Sequence, residues 1–156
     1  MSKETSIGDL YHSETKYHRD RSPGGGLRWQ ETPEAYNAYP GAETVILPEP
    51  ARSGGKLIWD MLSRRRSVRD YTSASASMEE LSQLLWAVQG MTARAGRYVL
   101  RTAPSAGALY PIETYVMVNR VKDLAAGIYH YNVRQHILEV VRKGDFGTDI
   151  AQAALG

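Results

Sequence analysis

The chain contains no cysteine. That removes disulfides, thiolate metal centres and cysteine nucleophiles together, and leaves the compartment open. Charge of one sign is scarce too: 19 Lys and Arg against 17 Asp and Glu leave a formal net charge of +2. A nucleic-acid-binding chain usually carries a larger, clustered excess, so no nucleic-acid partner is expected. No apolar run approaches the roughly 20 residues that span a bilayer, and the polar start from Met1 to Asp9 carries no signal-peptide core. The expectation is a soluble, cytoplasmic protein with no membrane partner. Internal repeats and low-complexity tracts are missing as well. What is present, 156 residues at 42% hydrophobic and 23% charged, suits one domain with a real core.

Proline and glycine crowd the beginning. Pro23-Gly24-Gly25-Gly26, Pro33, Pro40-Gly41, Pro48 and Pro50 all fall within residues 1–52, a density that prevents long elements. This part reads as a wrapping N-terminal extension, with Tyr36, Tyr39, Val45, Ile46 and Leu47 able to pack it onto a core. Residues 11–20 are polar and aromatic with a weak helical tendency. His12 and His18 lie six positions apart, which fits no standard helical metal pair, so no metal site is expected. Ser53-Gly54-Gly55 marks a boundary, and residues 53–156 form the main domain.

In that domain, Leu57, Ile58, Met61 and Leu62 recur at helical spacing and predict a helix over residues 56–64. Ser77 followed by Glu80 is a capping-box signature opening a helix Met78–Gln89, with Leu81, Leu84, Leu85 and Val88 as its core stripe and Gly90 as its stop. Residues 91–96 read as a loop and 98–100 as a short extended piece. Residues 114–119 are rich in β-formers and read as a buried strand. Gly127–Asn132 and residues 136–141, joined by Val133-Arg134-Gln135, predict an antiparallel hairpin. A further helix opens at residue 148.

Two stretches carry chemistry. Arg64-Arg65-Arg66-Ser67-Val68-Arg69-Asp70-Tyr71 places four guanidiniums in six positions with a hydroxyl among them, at a predicted helix end. Arginine suits two-pronged recognition of a phosphate, each charged hydrogen bond being worth about 1.5–3 kcal/mol. The plainer reading is a solvated cationic helix terminus that complements the macrodipole. Ala103-Pro104-Ser105-Ala106-Gly107-Ala108-Leu109-Tyr110-Pro111 is the second stretch. Its small side chains let backbone approach a flat ligand, and Gly107 permits a left-handed conformation. An ordinary tight loop would read the same way. Together the stretches suggest a phosphate-bearing aromatic ligand.

Residues 65–71 resemble the opening flavin-phosphate motif of the nitroreductase superfamily, and residues 104–113, through Pro111-Ile112-Glu113, its second flavin-contacting loop. Tyr11-His12, Thr15-Lys16-Tyr17-His18, Leu27-Arg28-Trp29 and Gly127-Ile128-Tyr129-His130-Tyr131 bring the likeness closest to the SagB-type dehydrogenases, relatives of the thiazole/oxazole-forming azoline oxidases. The resemblance implies an α+β fold with a mixed sheet flanked by helices, FMN as cofactor, and an intertwined homodimer with flavin at its interface. It implies that Arg65, Arg66, Ser67 and Arg69 hold the flavin phosphate and ribityl region. Pro104, Ser105, Ala106 and Gly107 would lie along the flavin ring, contributed from the other subunit. Hydride chemistry then belongs to flavin N5, with a peptide azoline or other small molecule as substrate and NAD(P)H as a candidate donor. Family members are usually much longer, and the Lys-Tyr pair implicated in azoline oxidation would fall in a C-terminal half that this chain is expected to lack, so no catalytic residue is assigned. The alternatives are a non-catalytic or partner-dependent flavin-binding module and, more distantly, an anion or nucleic-acid binder built on the arginines, whose affinity would be salt-sensitive.

Overall fold

The computed structural model describes residues 6–16, 34–96 and 98–155. Tyr17-His18, Arg19-Asp20, Pro23-Gly24-Gly25-Gly26, Leu27-Arg28-Trp29 and Pro33, singled out above, lie outside the described residues. In chain order the elements are α1 (Ile7–Thr15), β1 (Thr44–Ile46), α2 (Ile58–Arg64), α3 (Met78–Gln89), β2 (Met91–Ala95), β3 (Tyr98–Arg101), β4 (Tyr115–Val118), β5 (Gly127–Asn132), β6 (Ile137–Lys143) and α4 (Gly147–Leu155). The chain divides into two compact units, residues 1–33 and 34–156. In the first, Ser6 caps α1 by accepting the Asp9 N–H at 3.2 Å, and α1 buries no residue. No helix among the described residues is long and apolar enough to cross a membrane.

The second unit is built on one four-stranded sheet in the order β1-β6-β5-β4, every ladder antiparallel. The predicted hairpin is its centre: Tyr131 pairs with Leu138 and Asn132 with Ile137. His136 closes the turn at φ 54°, a left-handed conformation that its ring bonds help to hold, with Tyr131 Oη 2.7 Å from Nδ1. Tyr129, Tyr131 and Leu138 are fully buried and gather Leu47, Leu81, Leu85, Val118 and Val133 into the core. Burial pushes the Tyr131 phenol up to about 12, against a smaller opposing pull from the Arg101 charge. Gly127 is required by space: a Cβ there would sit 2.6 Å from the Arg142 carbonyl, where the β5–β6 register slips between Ile128 and Tyr129.

The capping box of α3 is complete. Ser77 N–H donates to Glu80 Oε2 at 2.8 Å, and Glu80 N–H to Ser77 Oγ at 3.2 Å. Gly90 caps the helix end, and glycine is required there by space, since a Cβ would run into the Trp86 ring. The core stripe needs correction. Leu81 and Leu85 are buried, but Leu84 is 65% and Val88 51% exposed, while Ser82 and Gln89 turn inward. Hydrogen bonds set that rotation: Ser82 Oγ donates to the Pro48 carbonyl at 2.5 Å and lies 2.8 Å from His136 Nε2. Gln89 Oε1 accepts from Arg101 at 3.5 Å.

Residues 91–96, read as a loop, instead form β2 and the turn into β3, an antiparallel hairpin with a bulge between Met91 and Ala93. Ala93 and Ala95 are weak strand formers. Gly96 at φ 60° supplies the turn, and the local pairing overrides propensity. β4, read from the sequence as a buried strand, lies instead at the sheet's edge, where Val118 is buried, Val116 and Met117 are half-buried and Tyr115 is exposed. Within residues 34–52, β1 pairs with β6 and Leu47 is buried, whereas Ile46 is exposed.

Candidate functional site

α2 is a short helix whose apolar residues all face solvent. Leu57, Ile58, Trp59, Met61 and Leu62 are between 51% and 77% exposed, and α2 buries none of its residues. Arg65 N–H closes its last turn on the Met61 carbonyl at 2.9 Å, after which the backbone extends. Arg66 folds back, donating from Nη1 to the carbonyls of Ser63 at 2.9 Å and Arg65 at 2.8 Å. It thereby serves the helix end, the plainer role open to a cation there. The side chains of Arg64, Arg65 and Arg69 make no hydrogen bond or ion pair among the described residues, and residues 64–71 are exposed throughout. Three guanidiniums and the Ser67 hydroxyl therefore face solvent with no carboxylate competing for them.

The second stretch is held far more firmly. Thr102 anchors its entrance to the end of α3, donating from N–H to the Gly90 carbonyl at 2.9 Å and from Oγ1 to the Trp86 carbonyl at 3.2 Å. A 3-10 turn, Ala106–Ala108, follows. Gly107, Ala108 and Tyr110 sit at φ 64°, 55° and 44°. Each non-glycine residue there costs about 1–2 kcal/mol, so the strain must be held by other contacts. Two are visible: Tyr110 N–H donates to Ser105 Oγ at 2.8 Å, and Tyr110 Oη accepts the Arg101 N–H at 2.9 Å. Ser105 thus spends its oxygen on the turn. Pro104, Ala106 and Gly107 present backbone and small side chains at the surface.

Beneath the loop lies Arg101, only 8% exposed. Its guanidinium sits 4.5 Å from the Tyr110 ring centre and 5.2 Å from that of Tyr36, and donates from Nη2 to the Ala35 carbonyl at 3.2 Å. Its Nε has no partner, and among the described residues no carboxylate balances its charge. Sequence reasoning passed over Arg101, ending the extended piece one residue short. An arginine directly before the loop was the signal available.

At the loop's exit Glu113 reaches His130, which is fully buried. His130 Nε2 lies 3.1 Å from Glu113 Oε2, and Nδ1 lies 2.8 Å from Glu139 Oε2. Burial alone would raise the Glu139 carboxyl. Hydrogen bonds from Asn132, His130 and the Tyr39 N–H outweigh it and hold the carboxyl below its usual range. Tyr39 and Tyr115 cover the imidazole, their ring centres 5.3 and 5.1 Å away and their hydroxyls 2.7 Å apart. That hydroxyl contact, then burial, pushes the Tyr115 phenol up to about 12. A groove of about 580 Å3 opens beside Tyr36, Tyr39, Asn132, Arg134 and Glu139, and no residue of either predicted stretch lines it. Among the described residues no hydrogen bond, ion pair or ring contact joins residues 64–71 to residues 104–111, so each stretch is positioned independently.

The nitroreductase family profile matches residues 62–154. A Methanocaldococcus jannaschii protein named as a nitroreductase is 41% identical over 96 residues, covering 62% of this chain and 47% of that protein. The trifolitoxin operon protein TfxC of Rhizobium leguminosarum bv. trifolii is 29% identical over 157 residues, covering 90% of this chain and 44% of its own length. Among solved structures, one from Anabaena variabilis named as a nitroreductase superimposes with a TM-score of 0.67 at 27% identity. It covers 96% of this chain and 28% of its own. One from Ralstonia eutropha superimposes at 0.56 and 35% identity, over 66% of this chain and 45% of its own. The chain thus spans less than half the length of these relatives. With its profile match running over more than half of the chain, from α2 to α4, the chain belongs to the nitroreductase family.

Proposed function

We propose that this chain is the FMN-binding part of an oxidoreductase of the SagB-like kind. The observation that carries the reading is the loop at residues 104–110, a strained and firmly anchored turn with small side chains at the surface, in a nitroreductase-family chain. Such strain persists where surrounding structure over-determines it, which is typical of ligand-clamping segments. The donor set fits the cofactor. Arg65 and Arg69 are free to take a dianionic phosphate, with Ser67 beside them, and Arg66 can join if it leaves the Ser63 carbonyl. Pro104, Ser105, Ala106 and Gly107 offer a flat surface to a ring. The flavin, when bound, supplies hydride transfer at N5; the protein supplies orientation and electrostatics.

A homodimer is part of this reading, since the exposed apolar residues of α2 gain from a partner's cover. One relative is named for a trifolitoxin operon and another, TfxB, for trifolitoxin processing, being 45% identical over 47 residues. They support a toxin-processing setting, with a peptide azoline as the candidate substrate. A second reading, a flavin-binding module that is non-catalytic or needs a partner, rests on the chain's span of under half its relatives.

The test is a visible absorption spectrum of the purified protein after loading with FMN and desalting, followed by addition of NAD(P)H. A retained flavin spectrum that bleaches supports the oxidoreductase. A retained spectrum that no reductant bleaches favours the module. Colourless protein sinks both.

A further inference from the structure

We infer that Glu113, His130 and Glu139 share one proton beyond those of a neutral imidazole and two carboxylates, and that this proton pins the exit of the 104–111 loop to the sheet.

The inference follows from counting donors. Glu139 accepts two directed hydrogen bonds, from Asn132 Nδ2 at 2.9 Å on Oε1 and from the Tyr39 N–H at 3.2 Å on Oε2, and His130 Nδ1 lies 2.8 Å from Oε2. A carboxylate in that role is ionised, so Nδ1 carries a hydrogen. The opposite ring nitrogen faces Glu113 Oε2 at 3.1 Å. A neutral imidazole would point a lone pair at a carboxylate there, two acceptors in contact. The contact becomes a hydrogen bond only if a proton occupies it, on Nε2 or on the Glu113 carboxyl.

The surroundings suit an added positive charge. Tyr39 from the 36–42 segment and Tyr115 from β4 turn their rings to the imidazole at 5.3 and 5.1 Å. Glu139 from β6 and Glu113 before β4 complete the charged and titratable groups that face His130; among the described residues no cation does. Glu113 stands two residues beyond Pro111, so the proton ties the strained loop to a buried point on β5. His130 is accordingly a positioning residue, acting on the loop through Glu113. The sign is fixed by the count. A cluster that holds an extra proton when folded tethers the loop at lower pH and lets go as pH rises.

Hydrogen exchange of the Tyr110 amide, which closes the turn on Ser105, reads the tether directly. Corrected for intrinsic rate, wild-type protection should fall about tenfold or more between about pH 6 and about pH 9. In Glu113→Gln the amide can donate to Nε2 of a neutral ring, no extra proton is needed, and protection should stay level. Wild-type protection independent of pH, or a variant that follows wild type, overturns the proposal. Should the variant fail to fold, the wild-type profile decides, together with imidazole 15N shifts that either move with the Tyr110 step or do not. The proposal does not rest on the flavin reading: absent FMN binding would sink that reading and leave the exchange profile standing.

Discussion

The β5–β6 hairpin and the segment from Leu57 to Tyr71 are the opposite poles of this molecule. In the hairpin, Tyr129, Tyr131, His130 and Leu138 are shielded from water and nearly every polar group has a partner on the chain. In residues 57–71 the apolar side chains and the arginines alike face solvent. The first region is explained by what it already touches. The second has no such contacts; in the function proposed above, its arginines would take a ligand phosphate and α2 a partner surface. The 104–111 loop stands between the poles, clamped by the chain yet presenting its small residues outward.

Substitutions should separate the poles. Leu138→Ala, at a fully buried site, is expected to cost about 2–5 kcal/mol in urea unfolding. Ile58→Ser, on exposed α2, should stay within about 0.5 kcal/mol for the isolated chain; equal costs would erase the contrast. Gly90→Ala forces a methyl into the Trp86 ring and should cost about 1–3 kcal/mol by the same measurement. Ser77→Ala removes one half of the capping box at about 1 kcal/mol.

The smallest effect concerns acid. Glu139 is held below its usual range in the fold, so its stabilisation is present above the unfolded glutamate value of about 4.3 and is lost as pH falls. Melting temperatures measured down an acid series should fall less steeply for Glu139→Gln than for wild type. A variant curve parallel to wild type would remove Glu139 from the account.

Where local chemistry decides, the sequence was legible. Ser77 with Glu80 marked the start of α3, and the β-branched and aromatic runs around Val133-Arg134-Gln135 marked the central hairpin. It misled where tertiary contacts decide. Leu84 and Val88 fit the helical period as well as Leu81 and Leu85 do. Bonds from Ser82 to Pro48 and from Arg101 to Gln89 chose which face turned inward. The β2 strand escaped because Ala93 and Ala95 are poor strand formers, and its pairing with β3 depends on the turn at Gly96. The loop at residues 104–111 was visible as small residues, whereas its grip was not: Arg101 and the Glu113–His130–Glu139 contacts depend on strands distant in sequence.

The central claim is that this chain's own arginines grip the flavin phosphate. Quenching of FMN fluorescence, titrated with wild type and with Arg65→Ala/Arg69→Ala, tests it most directly. Saturable quenching by wild type, weakened at least about tenfold in the double variant at an unchanged melting temperature, is the predicted result. No saturable quenching, or equal affinity in both proteins, would contradict it.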